Sequence, residues 1–402
     1  MTVYGAFPGA RRLKVLFITI SYPTKESPID GIFVREHAKA VRLYDDVAVL
    51  HLAGPKANLG GLWRLEEETD HKVTERVPTY RLWTSSAFDS RFAILDRAFG
   101  TIKICYAFLA FKVLSARTFR PDIIHAHIYG AGFAAVLIGR IHRIPVVVTE
   151  QFSSIPMKEL SLGEIFKAWI AFKAAKKVLP VSRALQKGIE DYAIHVPFEI
   201  IPNVVDTTLF SLPSIIGSSD GEKRLLFVGL LDPVKGLPYL FHALARLRCF
   251  REDWLLDIVG DGPARREYTD LVARLGLSDK VAFLGLKTKA EVAQIMRRSD
   301  LFVLPSMIET FGCVLIEAMA TGLPIVASDS GAIPELVDSE CGFLAKPKDP
   351  DDICEKLNMA LENLSKFDRK RISEKVSSLY SYESIGRRFH DVYLSVLGRP
   401  SG

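Results

Sequence analysis

The stretch from Leu301 to Val337 restricts the fold more than any other part of the chain. It opens with the apolar run Leu301–Leu304, closed by Pro305, and passes through a polar turn, Ser306 to Glu309, into a segment of helical character from Phe311 to Ala320. Gly322-Leu323-Pro324 punctuates the helix end before a second apolar run, Pro324–Ala327. Short apolar runs bounded by turn residues have the length of buried parallel strands, and Gly followed by Pro stops a helix. The pattern predicts strand, loop, helix, strand, with the loop at the carboxyl end of the first strand. Ligands bind at that end in open parallel sheets.

Two carboxylates frame this unit, Glu309 before the helix and Glu317 eight residues later. Glu317 is expected about two turns inside the helix, which advances ~1.5 Å per residue. The two carboxylates therefore cannot form a close acid pair, whereas a ligand as long as a nucleotide sugar, lying along the helix start, meets both. Thr310-Phe311-Gly312-Cys313 places backbone N–H groups at the helix N-terminus, where anions bind, and Gly312 lets a phosphate approach the main chain. A glutamate on a surface helix is most often merely solvated. The combination of carboxylate, helix start, second carboxylate and the turn Ser330-Gly331-Ala332 favours a site.

These residues resemble a known family. E-T-F-G-C-V-L-I-E-A-M-A-T-G-L-P-I-V-A is similar, in residue type and in spacing, to the E-x7-E signature of retaining GT-B glycosyltransferases, the large glycosyltransferase family 4. The resemblance implies two Rossmann-like parallel-sheet domains facing one another across a cleft.

Length agrees, since 402 residues exceed one ordinary core and suit two domains. The boundaries expected are 1–204 for an acceptor-side domain completed by a C-terminal helix at 382–402, and 205–381 for a nucleotide-sugar-binding domain. Apolar content of 49% and charged content of 25% are ordinary for a globular chain. A net charge of +5 is modest and gives nucleic-acid binding no support. The five cysteines, at 105, 249, 313, 341 and 354, form no C-x-x-C, which argues for reduced thiols and against a zinc site. No apolar run approaches the ~18 residues of a membrane span. Met1 to Lys14 lacks the apolar core of a leader, and Leu13–Ile20 reads as a first strand. A cytoplasmic protein is expected, working at the inner face of the cell membrane if its acceptor is lipid-linked.

Along the chain, strands alternate with helices, predicting parallel sheets with right-handed crossovers. Strands are expected at Lys14–Ile20, Asp46–Leu52, Thr79–Leu82, Ile123–His127, Pro145–Thr149 and Lys177–Val181, with 54–78 irregular and charged and Ser182 capping a helix. After a Ser/Gly-rich loop at 211–223, further strands fall at Arg224–Gly229, Leu255–Val259, Val281–Gly285 and Gly342–Leu344. Gly31, just before a helix, is a candidate for close ligand approach, and Gly260-Asp261-Gly262 is by itself weak evidence for a nucleotide. The last helix, Tyr382 to Leu397, carries an apolar stripe at 385, 389, 392, 393 and 396. Phe92 to Arg120 mixes apolar and basic residues. Core packing is its first reading and contact with an anionic membrane its second.

The resemblance assigns roles residue by residue. D-I-I-H-A-H is similar to the segment bearing a donor-contacting histidine, here His127, and strand alternation is taken to turn His125 away. Gln151 and Leu230 stand where many relatives carry histidine and arginine, leaving Lys235 to meet the diphosphate. Leu286 follows the strand whose end contacts the base through main-chain groups. The reading is a retaining hexosyltransferase that needs no obligatory metal or cofactor. It moves a sugar from a UDP- or GDP-sugar to a glycan or lipid-linked acceptor in cell-surface polysaccharide or glycolipid synthesis. His127, Lys235 and Glu309 are the catalytic candidates. Gly31, Gly229, Lys235, Leu286, Glu309, Phe311, Gly312, Cys313 and Glu317 are the donor-binding candidates. The alternative is a non-catalytic or regulatory sugar-nucleotide-binding protein. A dinucleotide-dependent dehydrogenase would need G-x-G-x-x-G after the first strand, which Ser21-Tyr22-Pro23-Thr24 does not supply.

Overall fold

The computed structural model describes residues 12–56, 59, 61–85, 101–213 and 221–400. The chain divides into two compact units, Met1–Val204 with Tyr382–Gly402, and Val205–Ser381. In the first, the described strands are β1 (Lys14–Thr19), β2 (Asp46–Lys56), β3 (Trp63–Glu67), β4 (Thr79–Ser85), β5 (Ile123–His127), β6 (Val146–Glu150) and β7 (Lys177–Pro180). They pair in the order β3-β4-β2-β1-β5-β6-β7. β5 and β6 are buried along their whole length, as β-branched strands covered on both faces must be. The chain leaves β1 toward β2 and leaves β5 in the opposite direction, toward β6. The carboxyl ends of β1 and β5, where Thr19 lies beside His127, therefore flank a topological switch point.

One expectation fails here. Residues 54–78 are not irregular throughout, because β3 pairs antiparallel with β4 at the sheet edge, Trp63 opposite Thr84 and Glu67 opposite Tyr80. Its apolar residues, Trp63 and Leu65, are separated by Arg64 and followed by two glutamates. A half-exposed edge strand needs no stronger pattern.

Before residue 204 the described helices of this unit are α1 (Ile32–Arg42), α2 (His71–Thr74), α3 (Thr101–Arg117), α4 (Ile128–His142), α5 (Leu162–Ala174) and α6 (Arg183–Glu190). Ser161 and Glu164 form a capping box on α5, and Ser182 caps α6 by accepting from the Leu185 N–H at 3.0 Å. Of the basic segment 92–120, residues 92–100 lie outside the described residues. The remainder is α3, with Ala107, Ala110, Phe111 and Leu114 buried. Residues 1–11, 57, 58, 60 and 214–220, which carry parts of the leader, irregular-segment and Ser/Gly-loop readings, also lie outside.

The second unit carries β8 (Lys223–Val228), α7 (Leu237–Arg248), β9 (Trp254–Val259), α8 (Arg265–Arg274), β10 (Val281–Gly285), α9 (Lys289–Arg298), β11 (Leu301–Leu304), α10 (Cys313–Ala320), β12 (Ile325–Ser328), β13 (Gly342–Ala345), α11 (Pro350–Glu362) and α12 (Arg369–Tyr380). Its sheet runs β10-β9-β8-β11-β12-β13, parallel throughout the described pairs. The switch point lies between β8 and β11. The loops after these two strands carry Lys235 and Glu309.

The last helix, α13 (Tyr382–Val396), belongs to the first unit. Ile385, Phe389, Val392 and Tyr393 enter the core built on Phe17, Val34 and Val41. Gly386 permits this packing, since a Cβ there would lie 2.3 Å from the Ala40 carbonyl oxygen of α1.

Candidate functional site

The loop after β8 forms a single 3-10 turn, Pro233–Lys235, capped by Asp232 accepting from the Val234 N–H at 2.9 Å. It ends at Gly236 in the left-handed region, φ 69°. A Cβ at Gly236 would stand 2.1 Å from the Pro305 carbonyl oxygen, so glycine lets the β8 loop press against the end of β11. The Met307 N–H donates to the Val234 carbonyl at 2.8 Å and closes the two loops together. In the position this creates, Lys235 Nζ lies 2.5 Å from Glu309 Oε1, which also accepts from Ser306 Oγ at 3.0 Å.

Glu309 is held from its other side as well. The Ala332 N–H donates to its carbonyl at 3.0 Å, and Gly331, φ 54°, comes so close that a Cβ would lie 2.2 Å from that oxygen. Ser330 Oγ donates to the Ser306 carbonyl at 2.8 Å. The turn 330–332 thus supports the Glu309 loop.

The helix start differs from expectation. α10 begins at Cys313, with Gly312 as N-cap at φ 94°, so Glu317 lies little more than one turn inside rather than two. The reason is Gly312 itself, whose left-handed conformation keeps Phe311 out of the helix. The Phe311 ring is buried and packs edge-on against Tyr380 at 5.8 Å. Glu317 lies 3.5 Å from Lys289, so the two carboxylates have separate cationic neighbours.

At the ends of β8, β9 and β10 the glycines serve the main chain. The Gly229 N–H donates to the Val259 carbonyl, and the Gly260 N–H donates to Gly285, while Cβ atoms at Gly260 and Gly262 would collide with the carbonyls of Gly229 and Leu231. That crowding accounts for the G-x-G at 260–262. Beyond it, Leu230 and Leu286 are exposed.

In the first unit, Gly31 caps α1 at φ 60°, and a Cβ would lie 2.3 Å from the Ser21 carbonyl oxygen. Close approach of the chain's own loop is what requires glycine there. His127 is fully buried at the end of β5, and neither ring nitrogen has a hydrogen-bond partner. The alternation argument for His125 was wrong, because residues two apart in a strand share a face. The His125 ring stacks on His127 with centroids 4.4 Å apart, and its nitrogens bond Tyr393 and Thr149, both at 2.7 Å. Burial pushes both histidines well below the ordinary imidazole pKa.

Next to these rings the switch point of the first unit opens into a cavity of about 770 Å³. Ile20, Phe33, Leu52, Ile128, Phe133 and Phe152 give it apolar walls, and Asp30, Gln151, Glu164 and Lys167 its polar groups. Gln151 is more than nine-tenths buried, with neither side-chain amide atom partnered. Beside it, Glu150 accepts the N–H groups of Tyr129, Gln151 and Phe152, each at 2.8 Å. This ties the start of α4 to the loop after β6 and braces Ile128, a β-branched residue at φ 71°. Burial raises the Glu150 pKa to about 7 against the lowering effect of the three N–H groups. Nothing in the sequence singles out Glu150, because its three partners are backbone N–H groups that only the fold brings to it.

Known proteins agree with this architecture. Residues 211–377 match the model of the family described as Glycosyl transferases group 1, and residues 88–209 that of Glycosyltransferase Family 4. The chain is similar to the MMP α-(1→4)-mannosyltransferase of Mycolicibacterium hassiacum, 28% identical over 73% of this chain and 75% of that protein. It is also similar to the alpha-monoglucosyldiacylglycerol synthase of Streptococcus pneumoniae, 24% identical over 76% of this chain and 72% of that protein. Among solved structures, Anabaena HepE in complex with UDP superposes with a TM-score of 0.74 at 20% identity, covering 95% of this chain and all of that one.

Proposed function

We propose, for a chain that belongs to glycosyltransferase family 4 and is a GT-B glycosyltransferase, a retaining transfer of a sugar from a nucleotide-diphospho-sugar held by the second unit to an acceptor held by the first. The observation that carries this reading is the Lys235–Glu309 pair at the switch point, 2.5 Å apart beside the start of α10. A cation and a carboxylate are positioned there before any ligand arrives. The donor diphosphate takes Lys235 from Glu309, and Glu309 then accepts from hydroxyls of the transferred sugar. The backbone at Phe311, Gly312 and Cys313 faces the phosphates, and Glu317 accepts from the ribose hydroxyls. Lys235 stabilises the charge that develops on the departing diphosphate, electrostatic catalysis with no proton transfer from the protein. The chemistry calls on no metal. UDP and GDP are the bases favoured, and the UDP bound to the HepE structure supports the former.

The acceptor reading rests on the cavity. Apolar walls suit the non-sugar part of a lipid-linked acceptor, and the unpartnered Gln151 amide suits one of its hydroxyls. The diacylglycerol in the name of the streptococcal relative points the same way. His127 reaches a ligand only by turning out of its stack with His125, so catalysis is given to Lys235 and Glu309.

Thermal stabilisation by UDP-, GDP- and ADP-sugars, compared between the native chain and Glu317→Ala, tests the donor site. Binding to the folded state at a hundredfold excess over Kd adds about 2.7 kcal/mol. A shift with one nucleotide class that vanishes in the variant supports the reading, and no shift with any of them rejects it. The anomeric configuration of the product decides retention.

A further inference from the structure

We propose that the exposed face of α5 seats the first unit on an anionic lipid bilayer. Helix α5 is apolar on two sides. Ala168, Ala171 and Phe172 are buried, as in any helix packed on a sheet, while Leu162, Phe166 and Trp169 are 86%, 52% and 47% exposed. Their spacing of four and then three residues lines them along one stripe. A core-facing helix has no use for a second apolar stripe carrying two aromatic rings. An interfacial helix does, because tryptophan and phenylalanine settle at the boundary between headgroups and acyl chains.

Charge selects the occupant. Lys173 and Lys176 lie on the stripe side at the carboxyl end of α5, against Glu159 and Glu164, while Lys158 is paired with Asp191 at 3.5 Å and Lys167 lines the cavity. Glu164 is already engaged, by the Ser161 capping box and by the Tyr129 hydroxyl at 3.1 Å. A second copy of this chain docked by two-fold symmetry would bring the same lysines toward one another. A bilayer bearing negative headgroups instead meets them with opposite charge.

Glu164 and Lys167, which line the cavity together with the exposed Ile20 and Phe152, lie on the side of α5 turned away from the stripe. The seat does not rest on the acceptor reading. It also relocates the membrane contact expected at 92–120, since α3 buries most of its described apolar residues and exposes Leu109.

The test is co-sedimentation of the full chain with phosphatidylcholine vesicles, with and without phosphatidylglycerol, together with tryptophan emission. Binding is expected only with phosphatidylglycerol and should weaken as salt is added, with emission moving to the blue. Trp169→Phe should remove the emission shift while keeping most of the binding. Phe166→Glu with Trp169→Glu should cut binding at least tenfold without changing the melting temperature, because both positions are exposed. Equal binding by the double variant overturns the proposal, as does failure to bind any vesicle or a concentration-dependent dimer that the same substitutions abolish. If vesicles bind as expected while no sugar nucleotide shifts the melting temperature, the seat stands and the donor reading falls.

Discussion

At the carboxyl edge of the second unit a lysine is held by a carboxylate, and glycines at 236 and 331 bring backbone against backbone around the pair. At the corresponding edge of the first unit, Ile20, Phe33 and Phe152 enclose open space, and the histidines nearest to it are buried out of reach. Both edges lie where a parallel sheet reverses its strand order, so the frame fixes where a ligand goes and leaves its chemistry to the loops. A charged, preorganised edge suits a diphosphate, which needs the same contacts whatever the sugar. An apolar cavity with one unpartnered amide suits a partner whose bulk must leave water.

The contrast is broken most sharply at Lys235. Lys235→Ala should lower kcat by about 10²–10³, the cost of removing one group aimed at developing charge, whereas Lys167→Ala in the first unit should act mainly on the acceptor KM. Steady-state kinetics with both substrates varied separates the two. Equal effects on kcat would mean that the reacting centre draws on both edges alike.

Acid should separate the units next. Burial pushes His37 down to about 4 and His51 to about 3, with Arg81 adding to the latter, and pushes His125 and His127 well down. Each stays neutral in the fold while the unfolded chain takes up a proton below about 6.5, so stability is complete above that pH and is lost as pH falls. Glu150, raised to about 7, works in the other direction, and so does His390, raised by Asp45. Four imidazoles against these two leave a net loss of stability as pH falls from 7.5 toward 5. The shifted carboxylates of the second unit, Asp253, Asp279 and Asp338, are lowered and keep their contribution until pH falls below the ordinary aspartate range. Calorimetry between pH 7.5 and 5 should show the first unit softening while the second does not. A single transition of unchanged midpoint contradicts this.

The second unit's site was legible because much of it is contiguous. Glu309, Gly312 and Glu317 fall within nine residues, and a turn followed by a helix start announces itself through glycine and helical spacing. Lys235 could be read locally as a cation beside a glycine at a helix start, but nothing local tells a lysine 74 positions away which carboxylate it will meet. The first unit's cavity was not legible. Its walls come from β2, from the residues that follow β1 and β6, and from α1, α3, α4 and α5, joined by topology rather than spacing. Trp63–Glu67 escaped notice because an edge strand tolerates charge, and Leu162, Phe166 and Trp169 pass for an ordinary core stripe until burial shows which face α5 turns inward.

Gly236 tests the preorganisation directly. Gly236→Ala forces a Cβ onto the Pro305 carbonyl in addition to the left-handed strain, and should cost about 2 kcal/mol of stability together with the Lys235 geometry. Gly276 shares the left-handed conformation, φ 67°, but has open space around it, so Gly276→Ala should cost about 1 kcal/mol and leave donor binding intact. Urea unfolding and donor titration on both variants distinguish strain from collision.

The smallest effect asks whether the charged edge is charged enough. Leu230 is exposed on the loop that also carries Lys235, where relatives of the family place arginine. If Lys235 is the only side-chain cation reaching the diphosphate, Leu230→Arg adds a second and should tighten donor binding about three- to tenfold, up to about 1.4 kcal/mol. Folding should be little affected, since Leu230 is half exposed. An unchanged Kd would mean that the start of α10 and Lys235 already neutralise the diphosphate. The missing arginine would then mark a difference in how this chain distributes charge rather than a loss of donor affinity, and the Lys235–Glu309 pair would become the more sensitive target of the two.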